Sequence, residues 1–182
     1  MMTLFDSFQQ ERPASRETCE KYSAILPAEL TDAWQRYGFG SLLDGYLRMV
    51  DPADYQDLLA DTYFRGDVSV PIFVTAFADI VIWERGRYLR LVNYKDGVFQ
   101  GIAAGFGFFW EDLASGAFDT RFFERPLYQD AVRRLGGLAF DESFGYVPLL
   151  ALGGSRGSEH LQKVKTREHI QLIAQAAGRI GG

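Results

Sequence analysis

Six carboxylates fall within a short stretch of the chain: Asp44, Asp51, Asp54, Asp57, Asp61 and Asp67. Only Arg48 and Arg65 oppose them there, so six acids against two bases leave −4. Such a run has two chemical uses. It can be a solvated helix face, the usual fate of charge runs. It can also be a negative patch that docks on a basic partner, such as the phosphate-attracting surface of a nucleic-acid-cleaving enzyme. Asp44, Asp51, Asp54, Asp57 and Asp61 are the candidate contacts for a partner of that kind.

Other reactive residue types lack the spacing that catalysis needs. Gly105-Phe-Gly107 and Gly153-Gly154 are not followed by the Lys-Ser/Thr of a phosphate loop. Gly38-Phe-Gly40 lacks the third glycine and the preceding strand of a dinucleotide fingerprint. These glycines read as turns and caps. His160 and His169 stand nine residues apart, which is no zinc spacing on one helix. His169 reads as a partly buried, hydrogen-bonded histidine rather than a general base, and His160 as a loop or surface residue. Cys19 has Glu17 and Glu20 beside it, and acidic neighbours raise a thiol pKa, which disfavours a nucleophile. Glu84, Glu111 and His169 could serve as acid or base, but their spacing supports no enzyme. The residues therefore point to no catalytic, cofactor-binding or metal site.

The far end of the chain is opposite in sign. From residue 156 to 179, Arg156, Lys163, Lys165, Arg167 and Arg179 face Glu159 and Glu168, for +3. Lys163-Val-Lys165 alternates, which suits an edge-strand guard, a solvated helix start or an anion contact.

The elements that must position these groups follow from composition and period. The chain has 182 residues, 47% apolar and 24% charged, values that exclude disorder for most of its length. Its formal charge is −5, which excludes the basic global field of a nucleic-acid binder. One cysteine excludes a disulfide framework. Residues 1–20 are polar and acidic, and no stretch is long and apolar enough for a bilayer, so a cytoplasmic protein without a signal peptide is expected.

Residues 1–13 read as a loose arm. Leu30, Ala33, Trp34 and Tyr37 sit at i, i+3, i+4 and i+7, which predicts a helix over 28–37 stopped by Gly38. A second helix is predicted over 42–50. Asp51-Pro52 predicts a third, running to residue 64, with Asp54, Asp57 and Asp61 along one of its faces. Runs rich in Val, Ile, Phe and Tyr over 70–78, 80–84, 88–93 and 98–103 predict an antiparallel meander, with Asp96-Gly97 as a hairpin turn. Helices are predicted over 106–114 and 127–135, and over a last stretch capped by Thr166. Pro148 makes the segment 144–154 an edge strand or extended piece. The fold class is α+β: N-terminal helices on a central antiparallel sheet of about four to five strands, then a mainly helical C-terminal part. The division is an arm over 1–24, a domain over 25–118 and a second over 119–182, packed as one unit.

The order of several motifs resembles a known family. Tyr37-Gly-Phe-Gly40, Gly45-Tyr-Leu, Asp51-Pro-Ala-Asp-Tyr-Gln56, Pro71-Ile-Phe, Thr75-Ala-Phe-Ala-Asp79 and Trp83-Glu84 resemble the GAD-like domain, and Phe108-Phe-Trp-Glu-Asp-Leu113 looks like its end. Gly145-Tyr-Val-Pro-Leu-Leu-Ala-Leu-Gly-Gly154, His160-Leu-Gln-Lys-Val-Lys165 and Glu168-His-Ile170 are similar to the C-terminal domain of type VI secretion immunity proteins. The resemblance implies a non-enzymatic antitoxin that binds a cognate effector toxin, notably a DNase, and protects the producing cell. It implies no cofactor, no direct nucleic-acid contact and no membrane. It carries no motif of inhibitory residues. The alternative is a small-molecule or regulatory binding module, because GAD-type domains also occur as appended modules in tRNA-handling enzymes and a scaffold does not commit a function.

Overall fold

The computed structural model describes residues 3–182. Seven strands pair in chain order as one antiparallel meander: β1 (Gln9–Arg12), β2 (Phe39–Leu42), β3 (Leu47–Met49), β4 (Ser69–Thr75), β5 (Ile80–Glu84), β6 (Tyr88–Asn93) and β7 (Val98–Ala103). The strands β4 to β7 are the meander that alternation predicted. Gly97 turns the β6–β7 hairpin at φ +67°, a conformation glycine adopts without steric cost.

The sheet is larger than the four to five strands expected, because three further strands join its β4 edge. Residues 9–12, expected as part of a loose arm, form edge strand β1 against β2. Residues 42–50, expected as helix, form the β2–β3 hairpin instead. Leu43, Asp44 and Gly45 all turn at positive φ there. Asp44-Gly45 is the same hairpin dipeptide as Asp96-Gly97. Its signal is masked because Leu42, Tyr46 and Val50 also fit a helical period.

Alternation along the strands gives the sheet two buried faces. Leu47, Met49, Phe73, Val81 and Leu91 point to one face. Helices α1 (Arg16–Tyr22), α2 (Ala28–Tyr37), α4 (Phe109–Ser115) and α5 (Arg125–Leu135) cover it with Tyr22, Leu30, Trp34, Phe109 and Tyr128. Val74, Ile80, Ile82 and Val92 point to the other. There α3 (Gln56–Thr62) and α6 (Thr166–Ala177) pack with Leu58, Leu59, Ile170 and Ile173. Most of the aromatic side chains lie in these two cores, where they contribute the largest apolar areas.

The helix expected from Asp51 onward is divided. Asp51 caps a short 3₁₀ turn, Pro52–Asp54, by accepting from the Ala53 N–H. Tyr55 then leaves helical geometry, buries its ring, and α3 begins after it.

The C-terminal part is mixed rather than mainly helical. Strands β8 (Glu142–Tyr146) and β9 (Leu161–Lys165) form a second, two-stranded sheet. The β8 backbone joins the meander: Phe144 N–H donates to Ala76 O in the β4–β5 turn, at 2.7 Å. Pro148 lies beyond β8, so the missing N–H interrupts no ladder. Thr166 is the first residue of α6, not its cap. Its buried hydroxyl shares a 2.7 Å hydrogen bond with Ser143 Oγ, which uses up the group expected at the helix terminus.

Close approach between β8 and α6 rests on one glycine. A Cβ on Gly145 would lie 2.4 Å from the His169 ring. His169 is buried, so its ring cannot swing into solvent. Gly145→Ala is expected to lower unfolding stability by about 1–3 kcal/mol, an overpacking effect. Urea denaturation of the variant with and without His169→Ala checks it. The second substitution should recover part of the loss, and additive losses would refute the contact.

Candidate functional site

The five candidate carboxylates occupy three local settings. Asp44 projects from the β2–β3 turn, with Arg125 Nη2 at 3.8 Å. Asp51 caps the 3₁₀ turn and Asp54 is its last residue. Asp57 and Asp61 lie on α3.

Arginines from remote parts of the chain reach this acidic stretch. Arg12, on edge strand β1, places Nη2 at 2.6 Å from Asp54 and 3.5 Å from Asp51. Arg167, in the first turn of α6, forms a two-pronged pair with Asp57 at 2.8 and 3.1 Å and also donates to the Asp54 carbonyl. That pairing holds the Asp57 carboxyl below its ordinary range. The two arginines counted as local opponents point elsewhere. Arg65 binds Glu84, and Arg48 is fully buried. Asp61 is exposed and, among the described residues, makes no ion pair. Charge counting along the sequence found the acids but not these partners, because neither arginine is close in sequence.

Several buried polar groups were not singled out from the sequence as partners. Asp79 is buried in the β4–β5 turn and accepts from Lys95 Nζ at 3.1 Å and from the Tyr94 N–H at 3.1 Å. Burial pushes its carboxyl up to about 6. Lys95 also reaches Glu124 Oε2 at 2.9 Å and Asp96 at 3.7 Å, and these carboxylates hold its ammonium charged. Glu84 accepts from Tyr63 Oη at 2.7 Å, Arg90 Nε at 2.8 Å and Arg65 at 3.2 Å. A buried carboxylate so bonded ties β5 to β6 and to the segment that follows α3.

The groups considered for acid–base work lie apart in the fold. Glu84 ends β5, Glu111 is exposed on α4, and His169 is buried in α6 against Gly145. Burial lowers the His169 pKa and so disfavours its charged form. Cys19 is buried in α1, and burial together with Asp51 pushes its thiol up, away from nucleophile chemistry. Among the described residues, no group of three or more His, Cys, Asp or Glu side chains could hold a metal ion. Nor, among them, is any helix long and apolar enough to cross a membrane.

Among the concavities formed by the described residues, three are the most informative. A polar cleft of about 730 Å³ lies between β1 and residues 137–141, with Arg48 and Tyr128 lining it. An apolar groove of about 600 Å³ runs beside α6, bordered by exposed Leu152 and Leu172. A third, of about 520 Å³, runs along α2 between Phe5, Tyr37 and Trp110.

Comparison with known proteins gives this geometry its context. The GAD-like domain matches residues 1–100, and the domain described as T6SS immunity protein Tdi1, C-terminal, matches residues 103–177. The fold is similar to that in the crystal structure of Atu4351 from Agrobacterium tumefaciens. The TM-score is 0.77 at 19% identity, over 95% of this chain and 87% of that one. No curated protein matches the chain. The first 100 residues are more than half the chain, and nearly all the rest matches the second domain, so the protein belongs to the GAD-like domain family and carries the C-terminal domain of a type VI secretion immunity protein.

Proposed function

We propose that the chain binds and neutralises a cognate effector toxin of the DNase class inside the producing cell. The observation that carries this is the match of residues 103–177 to a type VI secretion immunity domain. Immunity proteins work by binding and need no nucleophile. They need a rigid surface with a few anchors and a charge opposite to that of the target.

The acidic surface supports a nuclease partner. A DNase must attract phosphate and therefore exposes basic side chains. Asp44, Asp51, Asp54, Asp57 and Asp61 are the contacts we assign to that basic surface. Arg12 and Arg167 hold Asp54 and Asp57 in place, which reduces the entropy lost on docking. Asp61 offers its charge without a competing cation among the described residues.

Co-expression with the product of the neighbouring gene in a sensitive host tests the reading. Restored growth and co-purification are expected, and absence of both removes it. The triple charge reversal Asp54→Lys, Asp57→Lys and Asp61→Lys is expected to weaken binding most at low salt. Unchanged binding and protection in that variant would move the contact away from these residues.

A further inference from the structure

The groove along α2 has a composition that selects a ligand type. Its floor is aromatic: Phe5 stacks on Tyr37 with ring centroids 4.2 Å apart, and Trp110 meets Phe5 edge-on at 5.1 Å. Glu29 and Asp32 stand above it, three residues apart on α2 and therefore on one face. Both are exposed, and among the described residues neither makes a hydrogen bond or an ion pair. Arg36 also lines the groove and lies over the Tyr37 ring at 5.9 Å, so the local charge is two acids against one base.

We propose that this groove receives an arginine or lysine side chain presented by the effector. The inference rests on the effector-binding reading above and names where the partner is anchored. A cation there gains twice. Its head group meets two carboxylates that have no counter-ion among the described residues, and its methylene stem covers aromatic rings whose faces attract positive charge. A neutral side chain would desolvate Glu29 and Asp32 without compensating them. An acidic one would be repelled.

The division of labour follows from the fold. The α3 carboxylates lie on the opposite face of the sheet from α2; Arg167 engages Asp57 there, and Arg12 engages Asp51 and Asp54 in the neighbouring turn. As exposed contacts they also steer encounter, so they raise the association rate more than the affinity. The α2 groove combines Trp, Tyr and free carboxylates in a concave site, the setting in which a few side chains dominate binding energy.

Two measurements test this. In the first, hexa-arginine peptide is titrated into the intact protein and the three indole N–H resonances are followed, with Trp110 assigned through Trp110→Phe. The Trp110 signal is expected to shift while those of Trp34 and Trp83 stay, and a hexa-serine peptide is expected to move none. The double reversal Glu29→Lys, Asp32→Lys should abolish the shift. In the second, that double variant, checked for an unchanged unfolding temperature, should bind the effector roughly tenfold or more weakly. A Trp110 signal indifferent to hexa-arginine, or wild-type effector affinity in the double variant, would overturn the proposal. Self-association of the wild type that disappears in the double variant would overturn it too. If the wild-type chain itself neither rescues nor binds the neighbouring gene product, the immunity reading falls, while the peptide titration still decides the groove's chemistry.

Discussion

Lys95→Met is expected to lower unfolding stability by about 3–5 kcal/mol, the usual consequence of stranding a buried charge. The Lys95 side chain is 6% exposed, and the Asp79 side chain only 2%. Its ammonium serves three carboxylates from three places: Asp79 in the β4–β5 turn, Asp96 in the β6–β7 turn and Glu124 just before α5. Methionine keeps the stem and removes the charge. Glu124 and Asp96 can turn toward water, and Arg156 still pairs with Asp96. Asp79 cannot.

The pH dependence gives the prediction its sign. Burial already raises Asp79 to about 6 from 3.8, so its contribution favours folding below about pH 4 and is lost as pH rises through 6. Without Lys95 the carboxyl rises further, and the loss continues to higher pH and grows in total. The variant should therefore lie closest to wild type below pH 5 and furthest above pH 7. Urea unfolding at several pH values checks this. A stability difference that stays constant from pH 5 to 8 would show that Asp79 is not the stranded group. Asp79→Asn in the Lys95→Met background should remove the slope.

Arg48→Met is expected to lower stability by about 2–4 kcal/mol, for a different reason. Among the described residues Arg48 has no ion-pair partner, and burial pulls its guanidinium down to about 10. Its value lies in hydrogen bonds: to Thr75 O at 2.6 Å, to Ser143 Oγ at 2.8 Å and to Glu142 O. Those acceptors belong to the meander on one side and to β8 on the other, so the guanidinium fastens the C-terminal hairpin to the sheet. Substitution relieves a desolvated charge but leaves three acceptors to find new donors. Amides of β8 and β9 should then exchange faster than those of β4 to β6, because the hairpin opens before the meander does. Arg48→Lys should not restore protection, since one ammonium lacks the planar fork that reaches all three acceptors. Equal exchange in both sheets would refute the fastening role.

These two cations illustrate what the chain discloses before folding. The β4–β7 strands were legible because apolar alternation and Asp96-Gly97 agree with each other. The helix α2 was legible because Leu30, Ala33 and Trp34 repeat at helical spacing between Pro27 and Gly38. The hairpin at Asp44-Gly45 was not, because its apolar residues satisfy two periods at once and only pairing with β4 decides between them. The same limit applied to the C-terminal hairpin, where β8 is stabilised by β9 and by Ala76, far upstream.

Charge shows the division most clearly. Composition alone sets how many carboxylates the stretch from Asp44 to Asp67 holds, and that its net charge is negative. The sequence also carries the order of motifs that places the chain in its family. Which carboxylates are engaged, and by which cations, is set by the folded arrangement. Arg12 is 42 residues from Asp54, and Arg167 is 110 residues from Asp57, yet both make short contacts. Glu29 and Asp32, unremarkable in the sequence, have no ion-pair partner among the described residues and stand beside an aromatic groove. Ion pairing depends on distance through space and on local screening, and neither quantity exists until the chain has folded.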